Sequence, residues 1–502
     1  MDMETLLSFN WSIFLPEFLI LGIATLLALF DLFLPEKVRR VHLGWLAALG
    51  TVLAIIVLCF QFTIPATSIL NDTIYVDSFS RAFKLLILVG GLFILILATA
   101  SEHQDGMERH VGEYYYLLLS ALLGGMIVAS SGDLITLFIG LELMSISSYV
   151  LVGLKKYNVS STEAAMKYLI NGSIATAIYL FGFSYLYGLS GTTNLKEMGT
   201  ILFNYTTEGD LYFLIFTLGF IVVGLSFKMA TVPFHLWVPD VYEGAPTIVT
   251  GFLSVISKTV GFVFFIRLMY GIFSRIPTEG NENLLIYAQV FLLGLAIFTM
   301  LFGNLMALRQ RNIKRMFAYS SIAHAGYLLA GFATYSQLSL DTVWFYLLTY
   351  LFMNIGAFAI IYWLTEKEQS ADIKHFAGLY RRAPFLAISM SIFLLGLAGI
   401  PFTSGFIAKL KVIMSALMVS EAQVLLVVMV IVASVISYVY YFGVMIQLYF
   451  RPEASPEKVK VSFPFLTVIA ICVVATIWFG IMPNSASDLI YHTFNGFHDF
   501  LK

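Results

Sequence analysis

The chain is built from apolar runs of about 20 residues, one after another, parted by short polar or Gly/Pro punctuation. A run of that length, wound as an α-helix, matches the hydrocarbon thickness of a bilayer. Inside lipid every backbone N–H and C=O needs a partner within the protein, so such runs fold as helices unless they close into a barrel. The roughly ten-residue alternation that marks a membrane barrel is not the pattern here. With 59% hydrophobic and 12% charged residues, and a mean hydropathy of +0.88, the chain is far from a soluble domain, in which about a quarter of residues are charged. The expected fold class is therefore an all-α polytopic membrane protein.

Counting apolar runs gives fourteen spans, with cores at 12–34, 43–63, 79–100, 113–131, 133–153, 164–190, 211–232, 247–272, 284–308, 314–334, 341–364, 384–418 (interrupted), 422–449 and 463–482. The acidic start (Asp2, Glu4) and the length of the first run argue against a removable signal peptide. Lysine and arginine alternate in density along the loops. Seventeen fall on one side, among them Lys37, Arg109, Lys155, Lys314, Arg315, Lys458 and Lys460. Five fall on the other, namely Arg81, Lys84, Lys196, Arg275 and Lys502. The positive-inside rule then places both termini outside.

Residues 142–168 match residues 320–346 at one shift: Tyr149 to Tyr327, Gly153 to Gly331 and Tyr168 to Tyr346 are each 178 positions apart. A Pro-Phe pair follows in each copy, at Pro233 and Pro401. Five spans per copy put the second copy upside down, and inverted repeats with discontinuous helices are typical of ion-coupled transporters. The divisions are 1–112, an N-terminal three-helix segment; 113–273, a first antiporter-like repeat (helices 4–8); 283–450, its inverted partner (helices 9–13); and 451–502, a loop and helix 14. Helices 7 and 12 are expected to be broken.

Ionisable residues inside these runs cost about 3 kcal/mol each on insertion scales, which makes them candidates for function. Glu142 lies mid-span with Ser145 and Tyr149 on its helical face, and Lys228 precedes the Pro233 break, with Gly224 one turn back. Lys258 is mid-span in the next helix, and Lys409 follows Pro401 by eight residues. At an effective dielectric near 20, charges about 4 Å apart interact by roughly 4 kcal/mol, or about three pKa units. Changing the Glu142–Lys228 separation would thus move a proton to or from Lys228 without a metal. A linear order Glu142–Lys228–Lys258–(His324)–Lys409 describes an ion path. His324 reads equally as a core histidine or as a relay, and Lys167 as a snorkelling or a functional side chain. Lys411 reads as structural or partner-facing. Glu17, Asp31 and Asp133 read as caps or partner contacts, and Arg267 as reaching the outer interface.

Other chemistry has no signature. Cys59 and Cys472 sit singly in apolar runs, so no pattern for an iron–sulfur cluster, haem or zinc is present. There is neither a GxGxxG after a strand nor a Walker loop. A net charge of −2 points to no nucleic-acid partner.

Several segments carry a resemblance: GLELMSISSYVLVG (140–153), EAAMKYLINGS (163–173), FKMATVPFHLWVPDVYEGAPT (227–247), GNLMALRQRNIKRMFAYSSIAHAGYLLAGF (303–332), YLFMNIGAFA (350–359) and LAGIPFTSGFIAKL (397–410). In order and spacing, over nearly the full length, the chain resembles the subunit N family of bacterial proton-pumping NADH:quinone oxidoreductases (respiratory complex I), antiporter-like subunits that are counterparts of mitochondrial chain 2. The resemblance implies fourteen spans, two inverted five-helix units, broken helices 7 and 12, and proton translocation driven by quinone reduction in other subunits. It carries the key roles onto Glu142, Lys228, Lys258 and Lys409. It implies a complex that uses NADH and a quinone, with no cofactor held by this chain. The implied partners are other antiporter-like and small membrane subunits and, indirectly, a quinone-reducing peripheral arm, in a bacterial inner membrane. IPFTSG departs from the commoner Ile-Pro-Pro pattern but keeps the break. The alternative is a subunit of a multi-subunit cation/proton antiporter without redox activity.

Overall fold

The computed structural model describes residues 9–35, 39–101, 111–204, 208–277, 283–419, 423–453 and 461–501. The N-terminal residues Asp2 and Glu4, and Lys37, Arg109, Lys458, Lys460 and Lys502 of the charge map, lie outside them. The chain is helical nearly throughout. Helices α1 (Leu15–Phe33), α2 (Val41–Phe60) and α3 (Ser78–Ala100) come first. A small antiparallel hairpin of β1 (Thr67–Ile69) and β2 (Ile74–Val76) joins α2 to α3; nothing in the apolar pattern announced it.

Then come α4 (Val111–Ser130), α5 (Leu134–Val152), α6 (Val159–Ser190) and α7 (Glu208–Met229). Past a break lie α8 (Trp237–Gly244) and α9 (Thr247–Arg275). The second half follows with α10 (Leu284–Ala307), α11 (Ile313–Ala333) and α12 (Ser339–Glu368). It ends with α13 (Pro384–Ala398), α14 (Ser404–Leu417), α15 (Val424–Phe450) and α16 (Phe463–Ile481).

Among the described residues twelve helices are long and apolar enough to cross a membrane, so the chain is a multi-pass membrane protein. Two of the fourteen expected spans fall outside that set for physical reasons. α11 is 21 residues long but carries Lys314, Arg315, His324 and several serines. α13 and α14, 15 and 14 residues long, are the two pieces of one interrupted run.

Helix ends follow local chemistry. Asp133 caps α5 by accepting from the Ile135 N–H at 2.7 Å, the role its position suggested. Asn158, Asn194 and Asn312 do the same for the helices that follow them. Asp77 and Ser80 close a reciprocal capping box on α3.

Burial sorts the helices into a centre and a rim. The most apolar stretch of α9 is wholly enclosed and that of α12 nearly so, whereas α1, α6, α10, α15 and α16 are buried over only about a third of theirs. The rim faces carry Phe33, Val290, Phe298 and Val439 outward, as expected of surfaces solvated by lipid. Lys258 is therefore on one of the most enclosed helices among the described residues, as is its partner helix α11.

Both proline sites break their helices, and at both breaks side chains bond backbone groups near the break. After Met229, Ala230 adopts a left-handed conformation (φ 62°) and Val232–Pro233 is cis. The Trp237 indole donates to the Phe227 carbonyl at 3.0 Å, and the Val232 N–H donates to Thr299 Oγ1 at 3.1 Å. At the second break Gly399 (φ 84°) and Phe402 (φ 70°) turn the chain. There the Lys409 ammonium donates to the Ala398 carbonyl at 2.7 Å. A buried carbonyl left bare costs about 1–3 kcal/mol, so the lysine is part of what holds the broken end.

Within α9, Leu253–Ser257 form a π-helical turn immediately before Lys258. Such bulges are rare and concentrate at functional sites.

Candidate functional site

The polar residues form a row through the centre of the molecule. At one end, Glu142 on α5 accepts from Thr176 Oγ1 at 2.7 Å and from the Tyr179 hydroxyl at 3.3 Å, both on α6. Lys228, near the end of α7, is buried. Its ammonium donates to Ser145 Oγ at 2.9 Å and to the Tyr168 hydroxyl at 3.3 Å. It also lies 5.5 Å from the centre of the Tyr168 ring, within cation–π range.

The direct Glu142–Lys228 ion pair expected from sequence does not form. Ser145, one turn along α5 from Glu142, takes the ammonium instead. Both charged groups nevertheless line one small cavity with Ser145, Tyr149, Thr176 and Tyr179, of about 10 Å³, the scale of a single water. Gly224 makes this possible: a Cβ there would lie 2.7 Å from the Ala175 carbonyl oxygen, so only glycine lets α7 approach α6 so closely.

Lys258 is the next buried cation. Its ammonium donates to both the carbonyl and the hydroxyl of Ser321 on α11, and Ser321 Oγ is in turn 3.1 Å from the Tyr242 hydroxyl on α8. The Tyr350 ring centre is 5.8 Å away. This lysine of the first half is thus fastened to a serine of the second. Among the described residues no direct hydrogen bond joins the Lys228 group to the Lys258 group; Gly261, three residues beyond Lys258 on α9, lies against the backbone and Cγ of Lys228.

His324, three residues beyond Ser321, is buried, with Nδ1 2.7 Å from the Tyr346 hydroxyl and Nε2 3.3 Å from the Tyr441 hydroxyl. Its partners are side-chain hydroxyls on two other helices rather than a backbone group. Tyr441 also bonds Ser320. Lys409, on α14, sits 4.9 Å from the centre of the Tyr327 ring, while that tyrosine's ring is 5.7 Å from His324. Gly399 is required here twice over: its φ is left-handed, and a Cβ would lie 2.8 Å from Lys409 Cδ.

Lys167 stands apart from this row. It pairs with Asp240 at 2.7 Å and Glu163 at 2.8 Å on the wall of an open cavity of about 400 Å³. Arg315 binds Asp240 at 2.9 Å and Glu243 at 2.6 Å, and Lys314 donates to the Glu243 and Ala245 carbonyls. Burial holds the Lys155 ammonium on the same wall below the usual lysine range, with Glu366 acting in the opposite direction. The cavity therefore ties α6 and α8 of the first half to α11 of the second through charge.

Three charged residues lie elsewhere than sequence placed them. Arg267 does not reach an interface; it is buried and grips both Asp77 carboxylate oxygens at 2.8 Å. Lys84 is not a loop cation, and Glu17 is neither a cap nor a partner contact. They form a buried pair at 2.6 Å between α3 and α1. Lys411 turns inward to Asp341 at 2.6 Å. Asp31 binds Arg40 at 3.2 Å. The hydroxyls of Tyr168, Tyr179, Thr176, Ser321, Tyr346 and Tyr441 were missed as site members, although Tyr168 and Tyr346 are equivalent positions of the repeat.

Comparison with known proteins adds an independent line. Residues 131–437 match the family described as NADH:quinone oxidoreductase/Mrp antiporter, TM. The chain is 50% identical over 494 residues to the NADH-quinone oxidoreductase subunit N of Geobacillus sp. (strain WCH70), covering 98% of this chain and 99% of that one. It superposes on a chain of respiratory complex I from Thermus thermophilus, determined with bound aureothin, with a TM-score of 0.74, 29% identity, and coverage of 93% of this chain and 97% of that one. A chain of the Mrp complex from Dietzia sp. DQ12-45-1b superposes at 0.81 with 18% identity over all of both chains, which is a likeness of fold alone.

Proposed function

Because the chain belongs to the NADH:quinone oxidoreductase/Mrp antiporter family of membrane subunits, we propose that it carries protons across a bacterial inner membrane as the subunit N of a redox-driven NADH:quinone oxidoreductase. The observation that carries this reading is the row of three buried ammonium groups, Lys228, Lys258 and Lys409, spaced by His324 and by serine and tyrosine hydroxyls. Hydroxyls both donate and accept, so they pass protons between groups that themselves stay in place. A scaffold gains nothing from three buried cations, each costly to remove from water.

In this reading the two halves are inverted five-helix units within fourteen crossings, with both termini on the outer side. Glu142 sets the charge seen by Lys228 through Ser145 and the shared cavity. Lys258 receives a proton on the first unit and faces the second through Ser321. His324 links Lys258 to Lys409. Lys167 belongs to the charged cavity that feeds the row from the inner side. NADH and quinone act in other subunits, whose conformational work shifts these contacts, and this chain holds no redox group of its own. The similarity to a named subunit N at 50% identity favours this reading over a cation/proton antiporter without redox partners, a role the fold would also suit.

The test is Lys228→Met in the assembled complex. Proton uptake by inverted vesicles is expected to fall severalfold for each NADH oxidised, while the complex still assembles. Unchanged pumping at normal subunit content would overturn the reading.

A further inference from the structure

We propose that Asp341 and Lys411 form the proton-release site of the second unit, on the side of the molecule that carries the last helix residues of α11 and the first of α12. The inference rests on the proton-carrying role proposed above. It concerns residues that belong to neither the row of cations nor the charged cavity.

Lys411 and Lys409 are two residues apart on α14, about 200° around a helix, so they face different neighbours. Lys409 turns to Tyr327 and the broken end of α13. Lys411 turns to α12, where its ammonium meets Asp341 Oδ2 at 2.6 Å and lies 5.0 Å from the Phe345 ring centre. Ser487, in the segment after α16, also accepts from Lys411 at 3.2 Å. The pair is not sealed: the Lys411 side chain is 16% exposed and that of Asp341 8%. Lys411 thus carries the helix of Lys409 to a charged pair that reaches the surface, where an ion would leave.

Two further observations point to water and proton traffic at this pair. Asp341 Oδ1 and the adjacent Thr342 Oγ1 are buried without any protein partner. Buried polar atoms are almost always satisfied, by ordered water where protein does not serve. Beside them, hydroxyls from three elements meet. Ser415 Oγ on α14 is 2.6 Å from Thr334 Oγ1, and Thr334 Oγ1 is 2.9 Å from Ser339 Oγ. Ser415 is one turn beyond Lys411 on α14, and Ser339 is two residues before Asp341 on α12. Thr334, Ser339 and Ser415 are themselves fully buried, and the half-buried Ser336, whose Oγ is 2.5 Å from Ser415 Oγ, extends the cluster towards the surface.

The step balances simply. Lys409 gives up one proton and becomes a neutral amine, to be recharged from the Lys258 side. The Asp341 carboxylate, on the other flank of α14, accepts that proton through intervening water and becomes a neutral acid. The Lys411 ammonium beside it favours the carboxylate, so the acid returns its proton to the water at its unpartnered Oδ1, next to the Thr334–Ser415–Ser339 hydroxyls. The pair works as a low-affinity site, which empties readily once loaded. Both a lone carboxylate, which would bind cations, and an apolar plug would lack that property.

The experiment uses the complete complex in vesicles, with proton uptake measured against NADH oxidation, and subunit content determined for every variant. Asp341→Asn is expected to reduce pumping per NADH at least twofold, and Asp341→Glu to restore it. Ser415→Ala leaves the ion pair in place and is expected to lower pumping in the same sense, which keeps the test open if Asp341→Asn does not assemble. A purely structural pair would lower subunit content and leave the ratio in the remaining complexes unchanged, and that result would overturn the proposal, as would wild-type ratios in both assembled variants. Lys228→Met is run in parallel. If it abolishes pumping while Asp341→Asn and Ser415→Ala do not, only the release site is wrong; if it pumps normally, the proton-carrying role itself fails.

Discussion

Ser145 Oγ receives the Lys228 ammonium at 2.9 Å, in the place where a direct contact with Glu142 was expected. The carboxylate, one turn back on α5, is held by Thr176 and Tyr179 of α6. The two charges therefore communicate through a hydroxyl and a water-sized space, and a small motion of α6 against α5 changes their coupling without breaking an ion pair.

Ser145→Ala keeps both charges and removes this intermediary. A hydrogen bond to a charged group is worth about 1.5–3 kcal/mol. Pumping per NADH oxidised is expected to fall severalfold in inverted vesicles, with the complex assembled and NADH oxidation retained in uncoupled membranes. Normal pumping would show that the hydroxyl is only a packing contact.

Gly224→Ala places a Cβ 2.7 Å from the Ala175 carbonyl and 2.8 Å from the Tyr179 backbone nitrogen. Backbone atoms cannot swing away as a side-chain tip does, so α7 must part from α6. The expected result is a lower thermal midpoint of the purified complex together with weakened pumping. Gly188→Ala, on the open face of α6 with nothing within 4 Å of its Cβ, should change neither.

Lys409→Met removes a cation and also bares the Ala398 carbonyl, so two losses are expected together. Stability should drop by about 1–3 kcal/mol, read as a shift in thermal unfolding of the detergent-solubilised complex, and pumping should fail. Lys409→Arg keeps the charge, but Gly399 lies against the lysine stem, and a forked guanidinium is not expected to fit there. A fully active arginine variant would contradict this account of the break.

Glu17 and Lys84 test a different principle. They form a buried pair with no further hydrogen bonds to Glu17 Oε1, Glu17 Oε2 or Lys84 Nζ. Removing one partner, as in Glu17→Gln, should cost about 3–5 kcal/mol, because the other charge stays buried. The double variant Glu17→Leu, Lys84→Met should be much closer to wild type in thermal unfolding. Equal damage in the single and double variants would mean that the pair does more than hold α1 to α3.

Much of the architecture was legible because lipid imposes a long wavelength on sequence. Runs of about 20 apolar residues mark helices, and the two Pro-Phe sites marked both breaks. The costly cations Lys228, Lys258 and Lys409 stood out for the same reason, and the structure does bury all three. What was not legible depends on direction rather than depth. A helical wheel puts Ser145 and Glu142 on one face of α5, yet does not say which of them Lys228 will meet. Arg267 and Lys84 looked like residues reaching outward because they lie near the ends of their runs. Their partners, Asp77 and Glu17, are 190 and 67 positions away in the chain, a distance no local pattern spans. The hydroxyl partners of His324 come from α12 and α15 and became visible only once those helices were packed.

The π turn at Leu253–Ser257 has a consequence for Lys258 that its side-chain contacts conceal. A π turn carries one residue more than the α-helical turn it replaces, and one residue is about 100° of rotation at 3.6 residues per turn. Thr247–Phe252 and Lys258–Gly271 are therefore out of phase with each other, although they share one axis. The direction in which Lys258 points, towards Ser321 of the other half, is set by that phase offset. If the bulge slides by a turn along α9, the lysine swings like the hand of a dial while the ends of the helix stay where they are.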